Sequence, residues 1–88
     1  MTTKQTVNKD NLIELTKKSI EAINQDILSS VFNVEFHSEY PYEEEQKVQA
    51  VGKAMLTLEQ NQEKLKVVEG LLEKYLKLDT DVFVLEKE

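Results

Sequence analysis

Eighty-eight residues without a cysteine exclude disulfides and thiolate metal centres, and leave a core that is marginal unless helix packing or oligomerisation reinforces it. Seventeen acids against eleven bases set a formal net charge of −6 and argue against a general binder of phosphate backbones. Every base is a lysine, so the planar guanidinium clamp for phosphate or carboxylate is missing as well.

The first residues are polar and lead into Val7-Asn-Lys-Asp-Asn without the apolar stretch of an export signal. No run approaches the roughly eighteen apolar residues that a bilayer span needs. A cytoplasmic protein without membrane association is expected. Residues 1–10 read as a flexible N-terminal arm, and 11–88 as a single small interaction domain.

A first helix is predicted from about Asn11 to Ser29. Asn11 can accept from free amides of the first turn, and Glu14 sits where a capping box needs it. Ile13, Ile20, Ile23 and Ile27 recur at helical spacing, and Leu12, Leu15, Leu28 and Val31 widen the stripe. From Val31 the period changes. Phe32, Val34 and Phe36 alternate with Asn33, Glu35 and His37, which predicts a strand with one apolar face. Pro41 then pushes Tyr40 out of helical geometry and suits the start of a new helix.

The segment 42–78 carries the clearest pattern. Val51, Ala54, Leu58, Asn61, Leu65, Val68, Leu72 and Tyr75 alternate steps of three and four, a heptad seam. Unbroken, the segment would span about 55 Å, which a first helix of about 30 Å cannot cover. Asn61, in the polar stretch Glu59-Gln-Asn-Gln-Glu63, reads either as a buried register residue between two chains or as a corner folding the segment back. Gly52 and Gly70 each cost roughly 1 kcal/mol against alanine in a helix interior, and close helix approach beside Ala50 and Ala54 could offset that at Gly52.

Val82, Phe83, Val84 and Leu85 form a strand-prone run near the end, apolar on both faces. Paired with Phe32–Phe36 it would make a two-stranded ribbon, stable only against helices or a partner's strands. The expected fold is therefore a helix-dominated α+β protein in the order helix, strand, long helix, strand, with the long helix packing in a dimer. The alternative is a helical hairpin with a small antiparallel two-stranded ribbon. A homodimer is expected through the heptad residues together with Val82, Phe83, Val84 and Leu85.

No catalytic constellation stands out, and no cofactor or metal site is expected. His37 and Glu35 would need a further ligand from elsewhere, and the serines lack a base in sequence. Glu39, Glu43, Glu44 and Glu45 make the densest acidic patch, with Tyr40 and Tyr42 flanking Pro41 beside it. Carboxylates steer basic partners and tyrosines anchor interfaces, so these six residues are the candidate partner-binding site. Lys64, Lys66, Lys74 and Lys77 are interspersed with Glu63, Glu69 and Glu73, the pattern of a solvated helix face rather than of nucleic-acid binding. These features point to a non-catalytic protein–protein interaction module, a small acidic inhibitor or adaptor of a basic partner, such as phages and mobile elements encode. A structural subunit assembling through its long helix is one competitor. A small enzyme or ligand-binding domain with its site between subunits is another.

Overall fold

A computed structural model describes residues 3–87, and the elements run β1 (Thr3–Asn8), α1 (Lys9–Glu39), α2 (Glu44–Leu76) and β2 (Val82–Lys87). This strand–helix–helix–strand order corrects the expected helix–strand–helix–strand order. Residues 3–8, read from sequence as part of a polar arm, form β1; Met1 and Thr2 of that arm, and Glu88, lie outside the described residues.

The second correction concerns Phe32–Phe36, which is helical. Asn8 starts α1, accepting on Oδ1 from the amides of Asp10 at 2.8 Å and Asn11 at 3.3 Å, three residues before the cap expected at Asn11. Ser30 and Ser38 donate to the carbonyls of Asp26 and Val34 four residues back, so their hydroxyls are absorbed by the helix itself. The alternation that resembles a strand is also compatible with a helix. Val34 is half-buried beside α2, while Phe32 and Phe36 are exposed, four residues apart on the outer face. The helix ends at Tyr40, whose extended backbone is what a following proline demands.

With 31 residues, α1 is about 46 Å long, close to the roughly 50 Å of the 33-residue α2. The expected shortfall in cover therefore disappears. The seam of α2 is covered by the chain's own first helix: Ala54, Asn61 and Tyr75 are buried, and Val51, Leu58, Leu65, Val68 and Leu72 half-buried. On α1 the matching row is Thr16, Ile20, Ile23, Ile27, Ser30, Val34 and His37, again in steps of four and three. Segment 44–76 is one unbroken helix, so Asn61 is a seam residue rather than a corner. The two helices are antiparallel, as the contacts Ser30–Asn61 in mid-helix and Lys9–Leu78 at the far end require.

The ribbon also differs from expectation. β2 pairs antiparallel with β1, from Thr3 opposite Lys87 to Asn8 opposite Val82, and not with Phe32–Phe36. Contacts at the helix ends hold it in place. The Lys9 amide donates to Asp81 carbonyl at 2.8 Å, Lys9 Nζ donates to Leu78 carbonyl at 3.0 Å, and Phe83 packs edge-on against Tyr75 at 5.3 Å. The molecule measures 57 × 28 × 15 Å, a single layer of two helices with the ribbon at one end and the turn 40–43 at the other. Among the described residues, no helix is long and apolar enough to cross a membrane.

Candidate protein-interaction surface

A single layer cannot bury both sides of its helices, and this one does not. The accessible surface is 7039 Å2, whereas a monomer of this mass ordinarily exposes about 5,300 Å2. The radius of gyration is 18.6 Å, against about 12 Å for a globular chain of this length. The extra area is substantially apolar: Leu15, Leu28, Phe32, Val48, Leu56, Val67 and Leu76 are all more than half exposed.

The turn end carries the most distinctive part of it. Phe32 stacks on Phe36 with ring centres 6.2 Å apart, Phe36 meets Tyr40 at 5.5 Å, and Tyr40 meets Tyr42 at 4.5 Å across Pro41. These rings form a continuous ridge, with Phe32 66 % exposed and Phe36 and Tyr40 each 46 % exposed. Successive residues four apart on a helix stand one above another, which is why Leu28, Phe32, Phe36 and Tyr40 line up. Glu35 and Glu39 join Phe32, Phe36 and Tyr40 around an open groove of about 410 Å3.

Charge is segregated to the same end. Between Lys18 and Lys47 lie seven carboxylates (Glu21, Asp26, Glu35, Glu39, Glu43, Glu44, Glu45) and no lysine. In the hairpin's turn half, residues 24–60, seven acids (these without Glu21, with Glu59) meet two lysines, Lys47 and Lys53, so five of the six net negative charges sit there. Glu44 and Glu45 occupy the first turn of α2, where unpaired amides favour carboxylates. The three ion pairs of the described residues, Glu14–Lys18, Glu63–Lys66 and Glu73–Lys77, are exposed and lie outside that span.

Of the residues singled out for partner binding, Glu39, Tyr40, Tyr42, Glu43, Glu44 and Glu45 all fall at this end, around the turn. Phe32 and Phe36 lie beside them, on α1 rather than on the expected strand, and the fourfold spacing from Leu28 to Tyr40 is the sequence signal for that placement. The eight heptad residues proposed for self-association face α1 of the same chain. In β2, Phe83 is half-buried against Tyr75, with the ammonium of Lys74 5.3 Å from its ring centre, while Val82, Val84 and Leu85 remain exposed.

A second recess, of about 450 Å3, opens between α1 and α2 near the turn. Ser30, Asn33, His37, Gln46, Gln49 and Lys53 supply its polar groups. His37 Nδ1 shares a 2.8 Å hydrogen bond with the Tyr42 hydroxyl. The residues that line the recess include no carboxylate. Among the described residues, no group of three or more histidine, aspartate and glutamate side chains is placed to hold a metal ion.

The fold thus defines an antiparallel helical hairpin closed by a terminal β-ribbon, with one acidic, aromatic end. The chain matches no family model, no curated protein and no solved structure among those searched.

Proposed function

We propose that this protein is a non-catalytic, cytoplasmic protein–protein interaction module that acts as a homodimer and presents its acidic, aromatic turn end to a basic partner protein. One observation carries the reading: the exposed Phe32–Phe36–Tyr40 ridge lies within the span that holds seven carboxylates and no lysine. Aromatic rings supply the buried anchor of an interface, and surrounding carboxylates select a cationic rim and speed its approach. An amphipathic helix with an apolar stripe flanked by lysine or arginine meets both requirements. An inhibitor or adaptor works in this way, by occupying a basic surface.

The experiment is a calorimetric titration with two helical peptides sharing one apolar stripe, one flanked by lysine and the other by glutamate. The lysine peptide is expected to bind, to weaken with added salt, and to lose at least tenfold in affinity with F36A or with the pair E35K/E39K. Equal binding of both peptides, or no binding of the lysine peptide at millimolar concentration, overturns the reading.

A further inference from the structure

The turn end is poorly suited to self-association, because a second copy would set one net charge of −5, that of residues 24–60, against another. The opposite half has no such penalty, and it contains an apolar groove. Ser19, Ala22 and Ile23 of α1 and Val67 and Val68 of α2 wall a groove of about 620 Å3 beside the helix seam. Two large side chains stand beside the recess left by Ser19 and Ala22. Leu15, 61 % exposed, lies one turn before Ser19, and Val67, 63 % exposed, faces it from α2. A patch bearing both knob and hole is what a twofold interface needs, since each subunit must fill the other's recess with the same surface. Glu63 and Lys64 on the groove's edge supply one charge of each sign, which a twofold axis can set in opposition.

We infer that this groove is the homodimer interface, and that the two copies overlap through their ribbon halves with their helices antiparallel and their turn ends pointing apart. The inference rests on the homodimer named in the preceding section and adds its surface and arrangement. Area supports a second copy as the occupant. The chain exposes about 1,700 Å2 more than a compact monomer of its mass, and a stable dimer hides about 800 Å2 or more of each partner. A second copy also supplies the missing layer, turning two helices into four. Charge selects the arrangement: a twofold axis running along the helices would set the two acidic ends side by side, whereas an axis across them drives the ends apart. The dimer is then a rod with a partner-binding tip at each extremity.

The test combines sedimentation equilibrium with a spin-label distance. The wild-type protein is expected to be a dimer at micromolar concentration. V67E and L15E, on different helices and at exposed positions, are each expected to raise the dissociation constant at least a hundredfold while retaining wild-type helicity. F32E, at the turn end, is expected to leave the dimer intact. Spin labels on E44C are expected about 70 Å apart, twice the roughly 35 Å of helix from Glu44 to Val67. A wild-type monomer at several hundred micromolar overturns both the dimer and its interface. A dimer that survives V67E and L15E, that F32E disrupts, or whose labels lie closer than half the expected distance, overturns the interface and leaves the dimer itself standing.

Discussion

Asn61 Nδ2 donates to Ser30 Oγ across 2.9 Å in the middle of the helix pair, and the Ser30 hydroxyl in turn donates a hydrogen bond to the Asp26 carbonyl at 2.8 Å. Ser30 is 3 % exposed and Asn61 7 %, so these bonds replace contacts that water can no longer make. A slip of one heptad along the seam would set Asn61 opposite Ile23 or His37 and break its bond to Ser30, so the pair favours this register of α1 on α2. Asn61→Ala is expected to destabilise the protein by about 1–3 kcal/mol, because it opens a gap and removes half of a buried pair. Replacing both partners, N61L with S30A, is expected to be neutral or to stabilise by about 1–2 kcal/mol. Urea unfolding with an unchanged slope measures both.

Ile27 and Phe32 separate the helical course of residues 31–39 from the strand that the local alternation resembles. Ile27 is half-buried toward α2, and Phe32 is turned outward. Ile27→Ala is expected to cost about 2 kcal/mol, the low end for a large aliphatic truncation. Phe32→Ala is expected to cost no more than about 0.5 kcal/mol under conditions where the protein is monomeric. A strand with an inward Phe32 would reverse the order, so thermal unfolding of the two variants side by side decides it.

Gly52 and Gly70 have open space where a β-carbon would stand, with nothing within 4 Å. The close helix approach anticipated at Gly52 is therefore absent, and both glycines carry only the entropic cost of their flexibility. Gly52→Ala and Gly70→Ala are each expected to stabilise by about 0.5–1 kcal/mol. The urea midpoint should rise for each alone and additively for the pair, which are eighteen residues apart in α2.

The N-terminal cap gives a fourth expectation. Asn8→Ala removes the acceptor for the amides of Asp10 and Asn11 and should cost about 1 kcal/mol. Asn11→Ala lies inside the helix on an exposed position and should change stability by less than about 0.5 kcal/mol. Amide hydrogen exchange at Asp10 and Asn11 should quicken in the first variant alone.

The seam of α2 was legible because a heptad repeat is a one-dimensional signal, and all eight of its residues turn inward. The strand-prone run Val82–Leu85 was legible in composition, and β2 continues it to Lys87. The second half of α1 was not. Alternation over five residues fits a helix whose Val34 faces inward as well as it fits a strand, and only packing against α2 distinguishes them. At the candidate site, Tyr40 and the glutamates around Pro41 could be named from sequence, while Phe32 and Phe36 could not be placed on the surface until their helix was known.

By itself the sequence determined which side of the second helix must be covered, where the chain must turn at Pro41, and that its chemistry is acidic and lacks cysteine and arginine. Tertiary structure alone decided what does the covering. β1, Thr-Lys-Gln-Thr-Val-Asn, has no apolar periodicity of its own and becomes a strand because β2 offers it a ladder of backbone partners. Asn61 likewise has no preferred partner in a linear string; folding back α1 brings Ser30 to it across 31 residues of chain. Local pattern reports which residues avoid water, but hydrogen bonds and surfaces between distant segments exist only once the chain has brought them together.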